Sequence, residues 1–441
     1  MSPDWNTHSV EKLIEDKILS IGDGYRAKNI ELAPTGIPFA RVGNIDGGFH
    51  FSEADLFPLD SLHKVGEKIG RPGDVVLTSK GTVGRFAFVR SGTPQFVYSP
   101  QLSYWRSLDL NTIDSRFLFY WIQGEEFIEQ ANGVKSQTDM ADYVSLTDQR
   151  RMKITLPPVE NQRAIARILG ALDDKIELNR RMNHTLEEMA RALFKSWFMD
   201  FDPVIAKAEG RIPFGMNAKT ASLFPAEFEG SELGAIPKSW KVETLGNVLN
   251  ITKGRSYSSS ELQDSETALV SLKSFKRGGG YRRDGLKSYI GKYNPEQVLL
   301  PGDLVVSCTD ITQEADVVGR PAIIPNQNQF KILVASLDLL ILRPLNADIT
   351  TPFLNGILST DDYVNHIIGH ASGTTVLHLS RDGVPSYKFV MPPSPILKAF
   401  NKFAKPIYEK LSTVDNESEN LASIRNALLP RLMSGELRVK G

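Results

Sequence analysis

The sequence predicts an α+β fold built twice over. Each half is a mixed α/β domain followed by a long amphipathic helix, and the two helices pair as an antiparallel coiled coil that separates the domains about a pseudo-twofold axis. Three observations carry this expectation. Residues 156–198 and 391–433 align without a gap, since 391 − 156 and 433 − 198 both give 235. Within each copy, apolar residues recur at steps of three and four, the period of an amphipathic helix or a coiled-coil seam. Short motifs upstream recur in the same order: Pro72-Gly73-Asp74 and Pro301-Gly302-Asp303, then Val83-Gly84-Arg85 and Val318-Gly319-Arg320. A repeat of roughly 20–50 residues would read as a solenoid. A repeat of 235 reads as a duplicated half-molecule.

Composition sets the outer bounds. A chain of 441 residues has room for two or three domains. With 41% apolar and 23% charged residues it has the make-up of an ordinary globular protein. No uncharged apolar run reaches the roughly 18 residues of a membrane span, so no membrane partner is expected. The first residues are acidic and lack an apolar core, so no secretory leader is expected. Cys308 is the only cysteine, which excludes an intramolecular disulfide and fits a reducing cytoplasm. The net charge of −1 argues against a uniformly basic nucleic-acid binder and leaves local patches to decide.

Taken in order, each half opens with a short apolar element that runs into a glycine loop. In the first half Val10 to Leu13 leads to Gly22-Asp23-Gly24-Tyr25-Arg26; in the second Val242 to Leu245 leads to Lys253-Gly254-Arg255-Ser256-Tyr257. A strand-like run follows at 39–42, with Arg41 inside it and Asn44 in the Gly/Asn/Asp turn after it, matched by 268–271; strand then turn is hairpin grammar. Pro-Gly sets a turn and the β-branched run behind it a strand. The offset is 229 at the Pro-Gly turns and 235 at Val-Gly-Arg, so the second half carries six extra residues between Ser307 and Val318. An insertion between matched strands is the pattern of a variable binding loop. Strand-like runs at 102–105 and 337–342 and helical ones at 115–129 and 360–368 complete each domain.

These features divide the chain into a first domain at 1–156, a first helix at 157–200, a connecting segment at 201–237, a second domain at 238–391 and a second helix at 392–441. The connection is rich in Gly, Pro, Ala and Ser and reads as ordered but irregular. Proline inside a helix costs about 3 kcal/mol and kinks it, so breaks are expected near Gly170, Pro406 and Pro430. The unbroken pieces are then residues 171–198, roughly 42 Å, and 407–429, roughly 35 Å, at about 1.5 Å per residue. The expected seam is Leu172, Ile176, Leu186, Met189 and Leu193 on one helix and Ile407, Leu411, Leu421, Ile424 and Leu428 on the other.

Catalytic patterns do not emerge. The chain has no GxxxxGK[ST] phosphate loop and no GxGxxG fingerprint. It has no Asn/Asp-Pro-Pro-aromatic motif of an amino-methyltransferase, because Asn294-Pro295-Glu296 lacks the aromatic. His366 and His370 have helical spacing for zinc, but no nearby Cys or acidic pair completes the set, and Gly369 interrupts the face. Asp200 and Asp202 could be paired carboxylates; their place before Pro203 reads better as a helix end.

The basic glycine loops stand out. Lys273, Lys276, Arg277, Arg282, Arg283 and Lys287 surround Tyr281 and three glycines with a single acid, Asp284. The first half offers Ser79, Lys80, Thr82 and Arg85 between two strand-like runs, and the second adds Arg320. Basic side chains neutralise phosphates, and glycines let backbone amides approach a duplex. A lone charged run is ordinarily a solvated loop; its occurrence in both halves of a duplicated chain favours nucleic acid. The candidate contacts therefore also include Tyr25, Arg26, Arg41, Asn44, Lys253, Arg255 and Tyr257.

At these residues the chain resembles the specificity subunits of type I restriction–modification enzymes. The resemblance runs along essentially the whole length. It rests on Pro157-Pro158-Val159-Glu160-Asn161-Gln162 at the first helix, Phe198-Met199-Asp200-Phe201-Asp202-Pro203 after it, residues 425–437 (RNALLPRLMSGEL) at the end, and the loop 79–84. The resemblance implies two target-recognition domains, each reading one half of a bipartite double-stranded DNA site, and two helices that set the spacer and dock two modification subunits. S-adenosylmethionine would belong to the modification subunits, ATP and Mg to restriction subunits that join the core, and no cofactor or catalytic residue to this chain. The other readings are a coiled-coil scaffold carrying two sugar- or peptide-binding domains, which leaves the basic loops unexplained, and a stand-alone nuclease or methyltransferase, which lacks its motifs.

Overall fold

Asn6–Ser9 pairs antiparallel with Lys153–Leu156, so the strand that opens the first half lies beside the one that closes it. The computed structural model describes residues 5–45, 48–81, 83–134, 142–312, 314–327 and 329–439. The chain divides into two units, Met1–Glu177 with Glu419–Gly441, and Leu178–Ser418.

In the first unit a four-stranded antiparallel sheet runs in the order Leu19–Asp23, Leu102–Ser107, Val75–Thr78, Phe86–Phe88. Period-two alternation sends successive side chains to opposite faces. Val75, Leu77 and Trp105 join Phe117, Trp121 and Phe127 from helices Ser115–Ile122 and Glu125–Val134. Val76, Ala87 and Tyr104 face a second core with Phe96 and Tyr98. A smaller sheet sets Ile37–Ala40 antiparallel to Leu56–Phe57 and parallel to Val97–Tyr98. The chain after residue 42 enters a 3-10 segment, Val42–Asn44, and an antiparallel bridge joins Ile45 to Phe49, while the strand itself pairs antiparallel with the next one across a longer loop.

The second unit repeats this plan. Lys241–Thr244 pairs with Lys388–Met391. The four-stranded sheet runs Leu249–Lys253, Leu339–Pro344, Leu304–Ser307, Pro321–Ile323, all antiparallel. The second sheet is here four-stranded: Thr267–Val270 again lies parallel to the later strand, Ile332–Ala335, and antiparallel to Lys287–Ser288, and Val298–Leu299 adds a strand on the far side of Ile332–Ala335. Helices Thr351–Leu358 and Asp361–Gly369 occupy the places of Ser115–Ile122 and Glu125–Val134. In the two Pro-Gly-Asp turns, Gly73 and Gly302 hold φ of +94° and +91°, a conformation glycine adopts at little steric cost.

Both long helices are continuous over 40 residues, Val159–Phe198 and Ser394–Met433, which corrects the expected breaks. Each spans about 60 Å at 1.5 Å per residue. Pro406 and Pro430 lie on exposed positions, where water can satisfy the carbonyl that each proline leaves unbonded. At Gly170 a Cβ would sit 2.6 Å from the Arg116 guanidinium, so the glycine admits a neighbouring side chain instead of ending the helix.

Within each unit the helices run antiparallel. In the first unit Arg425 donates to Asp173 at 2.8 Å, and Leu432 is buried in the core that holds Ile165 and Leu169. In the second, Asn179 donates to Glu417 at 2.9 Å and Asn183 to Asp415 at 2.5 Å, while Phe198 meets Phe400 with centroids 4.9 Å apart. Leu193 packs on the second unit's core and Leu428 on the first unit's. Leu172, Ile176, Leu186, Ile407, Leu411 and Leu421 are half-buried. Met189 and Ile424 remain 52% and 49% exposed, so neither is a buried seam residue. Polar side chains occupy the inner face where a strict apolar repeat was expected.

The connecting segment is more regular than expected. It holds helices Asp202–Ala208 and Ala218–Ala221 and a hairpin, Phe228–Ser231 with Gly234–Pro237. Val204, Phe224 and Ile236 are buried with Trp197, Phe198 and Trp240.

Candidate nucleic-acid interface

The glycine loop after the first sheet strand is set by a close backbone crossing in each unit. A Cβ on Gly24 would lie 2.1 Å from the Ser99 carbonyl oxygen, and one on Gly254 2.1 Å from that of Ser336. The next residues donate from the backbone, Tyr25 to Tyr98 and Arg255 to Ala335, both at 2.7 Å. These crossings fix where Tyr25, Arg26, Arg255 and Tyr257 leave the sheet.

In the first unit Arg26 is exposed, whereas Tyr25 turns back on its own domain. The Tyr25 hydroxyl donates to Glu31 at 3.0 Å and its ring packs edge-on against Phe57. Arg41 pairs with Asp55 at 2.8 Å and lies over Phe39. Asn44 accepts from the Arg41 backbone at 2.8 Å and donates to the His50 carbonyl at 3.0 Å. Arg85 donates to the Ile45 carbonyl at 3.2 Å, which draws the 41–45 and 84–85 loops together. Ser79 is buried, its backbone tied to Gln101 and Val144. Beside it Lys80 is exposed, with its ammonium 5.9 Å from the Tyr143 ring centroid. Thr82 lies outside the described residues.

Cys308 occupies the place of Ser79 in the second unit: its N–H donates to the Asp338 carbonyl at 2.7 Å and its carbonyl accepts from Leu379 at 2.9 Å. Burial pushes the thiol's pKa up. The extra residues fold around Asp310. One carboxylate oxygen accepts from the Thr312 backbone and hydroxyl, both at 2.8 Å; the other accepts from the Val317 and Val318 backbones at 2.6 and 3.0 Å. Burial alone would raise the Asp310 pKa, but these donors outweigh it and hold the carboxyl below its usual range.

The basic loop lies against the chain leaving this insertion. Gly278 donates to the Asp316 carbonyl and Gly280 to that of Pro321, both at 2.8 Å, which brings Arg320 beside the glycines. Lys253, Arg255, Lys273, Lys276 and Arg277 are exposed. Arg277 is 3.8 Å from Asp316. Arg282 meets Asp284 through two contacts of 2.7 Å. Lys287 donates to the Tyr257 hydroxyl at 3.2 Å and lies over its ring.

Two predicted contact residues turn inward. Tyr281 packs against the core around Phe275 and Ala322, and burial pushes its pKa up to about 12. Arg283 donates to the Asn326 carbonyl and to Asn416 Oδ1 on the second long helix, both at 2.8 Å. Sequence reasoning singled out neither Asp310 nor Asn416. Asp310-Ile311-Thr312 carries Asx-turn grammar that could have revealed the first; no local signal marks the second.

His366 contacts the Gly383 carbonyl at 2.9 Å and His370 the His366 carbonyl at 2.8 Å, so both rings serve the end of their helix. Among the described residues no group of three or more His, Cys, Asp or Glu side chains could hold a metal, and no helix is long and apolar enough to cross a membrane. Asp200 pairs with Lys195, and Asp202 opens the short helix after Phe201, whose φ of 54° ends the long one.

A family model described as the type I restriction modification DNA specificity domain matches residues 22–188. The specificity subunit of the Haemophilus influenzae type I restriction enzyme HindI is 25% identical over 439 residues, covering 88% of this chain and 91% of that one. The Methanocaldococcus jannaschii MjaIX specificity subunit is 24% identical over 377 residues, covering 83% and 78%. The crystal structure of a type I restriction–modification S subunit from M. genitalium superposes with a TM-score of 0.55 at 14% identity, covering 97% of this chain and 96% of that one, a likeness of fold. Residues 22–188 thus match a type I restriction modification DNA specificity domain, and along most of its length the chain is similar to the specificity subunits of type I restriction enzymes.

Proposed function

We propose that the two halves each read one half of a bipartite DNA site, residues 1–156 forming one reader and 238–391 the other. The observation that carries this reading is the repetition of a domain, with the same strand order in its main sheet and with exposed basic residues on loops beside equivalent strands. A reader repeated in one chain suits a site with two halves, as half-site spacing mirrors protein symmetry in other DNA binders. The exposed cations Arg26, Lys80, Lys253, Arg255, Lys273, Lys276 and Arg277 are the phosphate or base contacts of this proposal. Direct base reading would come from those that enter the major groove.

The paired helices would dock two modification subunits and set the number of unspecified bases between the half-sites. The modification subunits would supply S-adenosylmethionine, and restriction subunits ATP and Mg, all in the cytoplasm. A net charge of −1 leaves part of the phosphate neutralisation to these partners. Methylome sequencing of a host that expresses the chain with its modification partner tests the reading: it expects one bipartite methylated motif that is missing without this chain.

A further inference from the structure

We infer that Arg283 and Asn416 form an anchor that positions the basic loop of the second reader, and that Arg283 is not itself a phosphate contact. This rests on the reading of the 273–287 loop as part of a DNA-binding surface.

Arg283 opens the 3-10 turn Arg283–Gly285 within the basic stretch. Its guanidinium leaves the loop surface and spans two supports, the Asn326 carbonyl and Asn416 Oδ1, each at 2.8 Å. Asn416 belongs to one turn of the second long helix whose neighbours grip the first: Asp415 accepts from Asn183 at 2.5 Å and Glu417 from Asn179 at 2.9 Å. A single helical turn thus holds both the partner helix and the reader's loop.

The rest of the loop is built to be held. A Cβ on Gly285 would lie 2.1 Å from the Lys273 carbonyl oxygen, so the two ends of the loop cross in direct backbone contact. The Arg282 backbone donates to the Ser274 carbonyl at 2.8 Å. Tyr281 packs half-buried against the core beneath. With both ends crossed, the Tyr281 ring packed on the core and Arg283 tied to a rigid helix, Lys273, Lys276 and Arg277 project from a preformed backbone. Preorganisation of this kind raises affinity by lowering the ordering cost of binding.

The experiment uses the complex with modification subunits, duplex DNA carrying its methylated motif, and affinity measured across a salt series. Asn416→Ala removes only a neutral acceptor, and a hydrogen bond to a charged group is worth about a tenfold change in an equilibrium. The inference expects Asn416→Ala and Arg283→Ala each to weaken binding about tenfold with the salt slope unchanged. Asn416→Asp, which keeps an acceptor for Arg283, should restore most of the loss. Arg277→Ala should instead lower the salt slope by about one, as loss of a phosphate contact does. A slope lowered by about one in Arg283→Ala makes Arg283 a phosphate contact and overturns the anchor. So does an unchanged affinity in Asn416→Ala while Arg277→Ala lowers the slope, and the reading of the loop then stands. If Arg277→Ala, Lys276→Ala and Lys273→Ala all leave affinity and slope unchanged, the loop takes no part in DNA binding, and both the loop reading and the anchor fall.

Discussion

Arg106 donates from Nε and Nη2 to the two carboxylate oxygens of Asp74, at 2.6 and 2.8 Å, inside the first unit, where Asp74 is fully buried. Arg343 and Asp303 repeat the pair in the second unit, at 3.3 and 2.6 Å. Each aspartate also accepts a backbone N–H from its own turn at 2.9 Å, from Arg71 and from Leu300. The recurring Pro-Gly-Asp turn thus ends in an acid that staples it to the neighbouring strand, and the duplication preserves the staple as well as the strands.

Removing one partner of a buried pair leaves the other charge uncompensated, a cost of about 3–5 kcal/mol. Asp74→Ala should cost a good part of that figure, because the Arg106 side chain is only 8% exposed and its remaining acid, Glu67 at 2.9 Å, is itself mostly exposed. Asp303→Ala should cost less, because the Arg343 side chain is 30% exposed and water can replace part of the pairing. Urea unfolding of the purified chain measures both; equal losses would mean that burial does not set the cost.

Asp310 gives the second unit an acid-sensitive loop. Its folded pKa lies below the unfolded value of about 3.9. A depressed carboxylate contributes stability above the unfolded pKa and loses it as pH falls through the folded one. Acid should therefore loosen the 307–318 loop below about pH 4, and Asp310→Ala should show the loosened state already at neutral pH. Hydrogen exchange at Val317 and Val318, which donate to this carboxylate, reports it directly.

Much of this architecture was legible in the sequence. The repeat of 235 residues and the Pro-Gly-Asp turns pointed to the duplicated domains and the long helices. What misled was local. Pro406 reads as a break by propensity, yet on an exposed helix face it costs one hydrogen bond and the helix continues. Helix Thr351–Leu358 hid behind its opening Pro352, which suits the first turn of a helix. Tyr281 and Arg283 looked like contact residues because their neighbours are basic. Which member of a charged stretch turns inward depends on partners distant in sequence, such as Asn416, and no local period encodes that.

The antiparallel register also fixes how the proposed spacer should be lengthened. Asn179 meets Glu417 and Ser418, so insertions that keep the pairing belong after Leu178 on one helix and after Ser418 on the other. Four residues in each keep approximate helical phase and add about 6 Å, near two base pairs of about 3.4 Å. The methylated motif should keep both half-sequences and gain one or two unspecified bases between them. An unchanged spacer in an active complex would leave the helices a docking surface alone.

The central claim is that the two readers act independently on two half-sites. Replacing residues 1–156 with the matching segment of a type I specificity subunit, followed by methylome sequencing with the proposed modification partner present, tests it most directly. The account predicts a methylated motif with one new half-sequence, the other half unchanged and the same spacer. A motif altered in both halves, or one unaltered in either, would contradict it.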